Sequence, residues 1–322
     1  MRILLTGATG FIGLEVARQL AAAGVETRVM VRRISRAPLL ASLDVQPVHG
    51  DVLSPASLAR AVKGADAVIH LAGRASFESY DLVRPTIVEG TTNLAEIAAE
   101  AGVERFVFAS SLFVYDGAET ITSSTVANPS LDYGRAKLEA EAALARVTAE
   151  SGLRTACVRL PHVYGSHSLL FGLARRRLVV MPGSGRNTFA QLHVEDAARC
   201  LIEAACQGWT GTAPVADQLN VTWNEFFDVL TTYAPRIRVV HVPARLAAGA
   251  AASASPLLRR LGPTLVTGQT VRGWNLDLPV AAAELWSALD LQPRYPTVLE
   301  GIPAALDSSV AFSWRHPIFD WS

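Results

Sequence analysis

A doubly wound α/β fold, with a parallel sheet flanked by helices on both faces and a smaller C-terminal cap, is predicted by three observations. Short apolar runs alternate with amphipathic segments through the first half of the chain. A glycine-rich turn, "TGATGFIG" (6–13), joins the first such run to the first helical segment. After residue 161 the rhythm breaks into longer loops punctuated by Pro and Gly, as in "VMPGSGRN" (180–187).

The elements follow in order. "RILLTG" (2–7) is a buried strand ending in Gly7. Residues 12–23 have helical spacing (Ile12, Val16, Ala17, Leu20) and stop at Gly24. Strands are predicted at 26–33, 45–52, 65–73, 105–111 and 155–161. Helices are predicted at 54–64, with Ser54 as N-cap and Pro55 at its first position, at 84–102 and at 131–151. A helix at 194–208 returns to the first unit. One at 221–230 carries a Thr222/Glu225 capping box, and an Ala-rich helical stretch and a short helix near 279–289 follow. Residues 1–165, with 190–210 returning, are thus assigned to one domain, and 166–189 with 211–322 to the cap. Within the cap, residues 244–268 are small and apolar, which suits a mobile cover.

Composition narrows the class. Basic and acidic residues balance at 29 each, so no bulk field recruits nucleic acid. The three cysteines, at 157, 200 and 206, lack metal-ligand spacing and have no even count, so no metal site is expected and the thiols read as buried in a reducing compartment. No uncharged apolar run reaches membrane-spanning length, and the N-terminus lacks a signal-peptide layout. A cytoplasmic protein with a small-molecule partner is expected.

The glycine turn has the spacing GxxGxxG. Gly7 permits the tight turn, Gly10 lets backbone N–H groups approach a pyrophosphate at the helix N-terminus, and Gly13 permits close helix–sheet packing. The second strand ends in "VRRISR", without the carboxylate that would accept from a ribose 2′-hydroxyl. Arg32, Arg33 and Arg36 favour a 2′-phosphate, hence NADP(H), with NAD(H) as the alternative; a solvated basic loop is the bland reading.

Of the 29 basic residues only Lys63 and Lys137 are lysines. Lys137 stands four residues after Tyr133 on one helical face. A phenol has a pKa near ~10, so an ammonium beside it is expected to lower that value and make it usable in acid–base work. A compact ammonium also reaches a ribose hydroxyl without the planar bulk of Arg. Ser110 or Ser111, ending the fifth strand, could place a hydroxyl beside Tyr133, or merely cap the strand. His162 and His193 have no carboxylate or Cys partner at suitable spacing and read as structural. "ARRRL" (174–178) reads as a solvated helix end, and Glu195 and Asp196 as complements to a helix dipole. Trp209, Trp223, Trp274 and Trp286 are core or pocket wall, and the sequence does not say which.

"TGATGFIG", "HLAG" (70–73), "SSLFVY" (110–115), "YGRAK" (133–137), "RLPHVYG" (159–165) and "LHVEDAA" (192–198) occur in the order seen in extended short-chain dehydrogenases/reductases of the NAD-dependent epimerase/dehydratase type, which the chain resembles over roughly residues 1–210. The resemblance implies a Rossmann-type nucleotide-binding domain with a substrate-binding cap, and a catalytic triad of Ser111, Tyr133 and Lys137. It implies dinucleotide contacts from Gly7, Thr9, Gly10, Phe11, Ile12 and Gly13, from Asp51 and Val52 at the adenine, and from Leu71, Ala72 and Gly73. Tyr133 and Lys137 would join them, with Pro161 and Val163 near the nicotinamide. Glu89 stands where the family often has Asn. Phe189 stands where nucleotide-sugar members carry a diphosphate-binding Arg, closer in style to the 3β-hydroxysteroid dehydrogenase-like branch. The implied activity is NADP(H)-dependent interconversion of a secondary alcohol and a ketone on a hydrophobic substrate, in a possible homodimer. The alternatives are an NAD-retaining nucleotide-sugar epimerase or dehydratase and a non-catalytic dinucleotide-sensing protein.

Overall fold

The computed structural model describes residues 1–168, 170–172, 177–258 and 267–315. Six strands of the first half, β1 (Arg2–Thr6), β2 (Glu26–Val31), β3 (Gln46–His49), β4 (Ala67–His70), β5 (Arg105–Ser111) and β6 (Arg154–Leu160), are linked by helices. These are α1 (Phe11–Ala22), α2 (Pro55–Val62), α3 (Tyr80–Arg84), α4 (Gly90–Glu100) and α5 (Asp132–Ser151). Four short strands follow: β7 (His162–Tyr164), β8 (Leu178–Pro182), β9 (Thr188–Phe189) and β10 (Gln191–His193). Helix α6 (Val194–Gln207) then leads to β11 (Gly211–Pro214).

The central sheet is parallel, in the order β11-β6-β5-β4-β1-β2-β3. Alternate residues of each strand feed opposite faces. Ile3 and Leu5 of β1 pack with α1 and α6, whereas Leu4 packs with Leu58 of α2, Leu94 of α4 and Leu144 of α5. The order of connection reverses between β1 and β4, which opens a crevice beyond the carboxyl ends of those strands.

Differences from the sequence reading have local causes. The helix expected at 84–102 is three pieces, because Pro85 cannot donate to the ladder and a π-helical turn, Pro85–Glu89, separates α3 from α4. Ser54 occupies the N-cap position of α2, but its side chain makes no cap hydrogen bond. The stretch 211–322 does not lie wholly in the cap: β11 is the seventh strand of the central sheet, and Leu285, Trp286 and Leu289 pack in the α1/α6 core.

The cap pairs strands distant in sequence. β12 (Val221–Thr222) runs antiparallel to β9, and β13 (Arg238–Val242) parallel to β8. Helix α7 (Trp223–Tyr233) has the expected capping box, with Thr222 Oγ1 accepting from Glu225 N at 3.2 Å. Then come α8 (Ala244–Leu258), α9 (Gly268–Gly273), α10 (Ala283–Ala288) and α11 (Val298–Arg315). Helix α11 is not expected from the sequence, because Gly301 and Pro303 look like breakers. Gly301 is a packing requirement, since a Cβ there would meet Tyr164 Oη at 2.0 Å. Most of "ARRRL" and residues 259–266 of the expected cover lie outside the described residues.

Candidate active site

The loop after β1 is shaped by its glycines. Gly7 has φ +75°, and a Cβ on it would meet Ala72 N and Leu71 C at 2.8 Å. A Cβ on Gly13 would meet Gly7 O at 2.1 Å, so α1 can pack this closely only with glycine there. Gly10 is the exposed N-cap of α1, and no side chain caps that terminus. An uncapped helix N-terminus at the sheet's switch point suits a pyrophosphate. The loop after β4 is tied to it: Thr6 Oγ1 accepts from Ala72 N at 3.1 Å and bonds His70 Nδ1 at 2.7 Å. Full burial holds His70 neutral, with its pKa lowered to about 3 by desolvation and then by Lys137.

Beside this loop, at the carboxyl ends of β5 and β6, lies a cavity of ≈ 520 Å³. Ser111, Tyr133 and Lys137 line it together, as do Phe11, Ile12, Leu71, Gly73, Pro161 and Val163. Gly7, Thr9, Gly10, Gly13, Arg32, Arg36, Asp51, Val52 and Ala72, which follow β1, β2, β3 and β4, lie outside its wall. Arg32, Arg33 and Arg36 are exposed, and among the described residues no carboxylate lies within 4 Å of them. Asp51 turns inward on its own loop, its Oδ1 accepting from Leu53 N at 3.0 Å.

Helix α5 carries the reactive groups. Its second residue, Tyr133, is half-buried, and its third, Gly134, lies against the loop after β5. A Cβ on Gly134 would meet Phe113 O at 1.8 Å. This contact sets how closely the start of α5 lies on the loop after β5, and the Gly in "YGRAK" is a sequence signal for it. Gly134→Ala is expected to cost about 1–3 kcal/mol and to lower turnover, as urea unfolding and an activity assay will read.

One turn on, Lys137 is buried, its Nζ donating to Ala109 O at 2.7 Å and lying 4.4 Å from the Phe108 ring centroid. Burial lowers its pKa to about 8, an effect that Glu141 partly offsets. The expected lowering of the Tyr133 pKa by Lys137 is not found. Nζ sits 5.8 Å from the Tyr133 ring centroid, drawn to the Ala109 carbonyl, and desolvation pushes the phenol up instead. The resting phenol therefore stays protonated, a loaded acid.

The two serines separate. Ser110 Oγ donates to Glu141 Oε1, whereas Ser111 Oγ accepts from Phe113 N at 3.2 Å and keeps its proton for a ligand. Glu141 is held bidentately by Arg159 (Nε to Oε1 3.0 Å, Nη2 to Oε2 2.6 Å), and Arg159 Nη1 donates to Tyr115 Oη at 2.6 Å. This buried network, absent from the sequence reading, braces β5, α5 and β6 behind the site.

The opposite wall is aromatic. Phe113 packs on Phe189 (centroids 5.6 Å), Phe189 on Trp223 (5.4 Å), and Trp223 on Trp274 (4.3 Å). Trp223 and Trp274 are thus pocket wall, through residues the sequence could not assign. Among the described residues Lys137 is the only charged side chain lining the cavity. His162 also lines it but bonds Gln191 Oε1 at 2.6 Å, and burial lowers its pKa to about 4, in keeping with a structural role. His193 caps α6, and Asp196, beyond the helix dipole, accepts from Arg294 N and Tyr295 N at 2.8 Å. The described part of the expected cover, α8, contributes nothing to the wall; Thr270, Gly273 and Trp274 do.

Comparisons with known proteins bear on the family and the fold. The model of the NAD dependent epimerase/dehydratase family matches residues 3–215. A ceramide reductase of Caulobacter vibrioides is 33% identical over 230 residues, covering 69% of this chain and 67% of that protein. Sterol demethylase protein B of Methylococcus capsulatus is 29% identical over 286 residues, covering 82% and 84%. The solved structure of MoeE5 in complex with UDP-glucose and NAD superposes with a TM-score of 0.78 at 24% identity, covering 97% of this chain and 99% of that one.

Proposed function

The chain belongs to the NAD dependent epimerase/dehydratase family and is an NAD(P)-dependent enzyme acting on CH–OH groups, and from that premise we propose that it interconverts a ketone and a secondary alcohol on a largely hydrophobic substrate, with NADP(H) as cofactor. Sterol-like molecules, long-chain 3-oxo acids and terpenoid ketones are the substrate classes that fit. The observation carrying the proposal is the wall. Phe113, Phe189, Trp223 and Trp274 offer no cation to a diphosphate, and Lys137 is the one charge among the described lining residues. Relatives named as a ceramide reductase and a sterol demethylase support the same substrate class.

The residues present fit a nicotinamide dinucleotide. The cradle at Gly7, Gly10 and Gly13 would hold the pyrophosphate, Arg32 and Arg36 a 2′-phosphate, and Lys137 a ribose hydroxyl. When bound, the dinucleotide supplies two-electron redox chemistry to the carbinol carbon. The chain's own groups manage the oxygen. Ser111 donates a hydrogen bond that orients it, and Tyr133 gives it a proton as negative charge develops. Lys137 keeps two of its three N–H donors beyond the Ala109 bond for this side of the cavity. The aromatic wall keeps water away. A phenol held protonated suits ketone reduction better than alcohol oxidation.

The test is NADPH oxidation with a panel of hydrophobic ketones, set against UDP-sugars without added cofactor. Ketone-dependent oxidation is expected. Conversion of a UDP-sugar without added cofactor, and no ketone reduction, would overturn the proposal in favour of an epimerase or dehydratase. Cofactor choice has its own test: Arg32→Asp is expected to weaken NADPH about ten-fold or more relative to NADH, because a charge-assisted hydrogen bond is lost. Equal wild-type affinities for NADPH and NADH, measured by titration, would refute the assignment.

A further inference from the structure

Two stretches that supply much of the cap, 166–194 and 229–276, contain ten Arg and no Asp or Glu. The rest of this electrically balanced chain therefore holds 19 basic residues against 29 acidic ones. Arg177, Arg186, Arg236, Arg238 and Arg245 are exposed, and among the described residues no carboxylate lies within 4 Å of any of them; Arg272 is paired with Asp116. These five cap arginines thus have no carboxylate partner among the described residues.

The same segments also carry exposed apolar side chains. In β8 the inward Val179 and Met181 join the cap core, while Leu178 and Val180 are 49% and 54% exposed. The parallel register sets Leu178 beside Arg238 and Val180 beside Val240, itself 46% exposed, on one sheet face. One residue, Pro243, separates β13 from α8. That helix inverts the usual surface pattern, in which charged and polar residues face water. Its exposed positions include Leu246 (67%) and Leu257 (65%), eleven residues apart and so on one side of the helix. Between them the exposed residues are Gly249, Ala250, Ala252, Ser253 and Pro256, with no charge.

We propose that this outer face of the cap, the β8/β13 strip with α8, docks on the surface of an anionic phospholipid bilayer. The charge and the apolar area have to be explained together. A nucleic acid would use the arginines but leave Leu178, Val180, Leu246 and Leu257 against water. An apolar protein patch would bury the leucines but leave the arginines unpaired. A bilayer of anionic lipid answers both at once: acyl-chain boundary for Leu and Val, phosphate for guanidinium. None of these residues lines the cavity, so the docking holds whether or not the proposed substrate class is right.

Co-flotation of the full chain with vesicles tests it. One set contains 30% phosphatidylglycerol in phosphatidylcholine, the other phosphatidylcholine alone. Wild type is expected to float with the anionic set, less so as salt rises, and to stay behind with the neutral set. Each arginine neutralised, as in Arg238→Gln and Arg245→Gln, should weaken binding about five-fold. Leu246→Ser with Leu257→Ser should weaken it without changing the salt dependence. Unchanged NADPH binding and unfolding temperature confirm that the variants are folded; the two substitution sets are independent, so misfolding of one leaves the other to decide. Absence of wild-type binding to anionic vesicles overturns the proposal. So does binding that both variant sets retain in full, or a homodimer by light scattering that the Leu variants convert to monomer.

Discussion

Tyr133→Phe is expected to lower turnover by about 10²–10⁴-fold while NADPH still binds, because the variant loses the proton donor and leaves the glycine cradle intact. The ring remains to fill the space between Phe77 and Phe113, whose centroids lie 5.8 and 6.3 Å from its own, so the fold is not the readout. Lys137→Arg is expected to fall in the same range even though charge is kept. The planar guanidinium cannot take the point 2.7 Å from Ala109 O and 4.4 Å from the Phe108 centroid. The pH profile adds a sign. Burial lowers the Lys137 pKa to about 8, so the ammonium predominates below that pH and is lost above it. The kcat/KM for ketone reduction, which reports the free enzyme, should therefore fall as pH rises through about 8. Tyr133, pushed upward by burial, stays protonated across that range and contributes no limb there. A pH–rate series on wild type and both variants checks all three statements. Turnover near wild type in either variant would remove Tyr133 and Lys137 from the chemistry.

Glu141→Ala carries the largest expected stability effect. It leaves the Arg159 guanidinium, 9% exposed, without its bidentate carboxylate partner and strands the Ser110 hydroxyl. Removing one partner of a buried pair costs about 3–5 kcal/mol, which urea unfolding will show directly. The double replacement Glu141→Leu/Arg159→Met should be far milder, since neither charge is then left buried alone. Loss in the double variant as great as in the single one would mean that the site depends on something other than charge satisfaction.

What the sequence disclosed depended on how local the physics was. The strand at 105–111 is found at the residues expected, because the six apolar and small residues that follow Arg105 have one reading. Tyr133 and Lys137 were legible because a four-residue helical spacing puts two side chains on one face regardless of the rest of the chain. The aromatic wall was not: Phe113, Phe189, Trp223 and Trp274 are scattered from position 113 to 274 and meet only through tertiary packing. The protonation state of Tyr133 failed for a related reason. Spacing predicted proximity to Lys137, but the competing Ala109 carbonyl and the desolvation of the cavity are three-dimensional facts. β11 was misassigned because "GTAP" carries almost no strand propensity and is held in the sheet by its pairing with β6.

The pairing of β8 with β13, and of β9 with β12, has a consequence for how the protein is made. Six of the seven strands of the central sheet are complete once residue 160 has been synthesised, whereas the cap closes only when Leu278 and Val280 have formed their bridges to Phe189 and Ile121. At about 5–20 residues per second, a ribosome needs roughly 6–24 s to cover that interval. During that time Phe113, Leu160 and the rest of the cavity floor face water on a nascent chain with no cap. The residues that complete the wall, Phe189, Trp223 and Trp274, are spread along the chain made in that interval. Late truncations or a stalled ribosome are therefore expected to leave that floor exposed rather than to release a smaller folded enzyme.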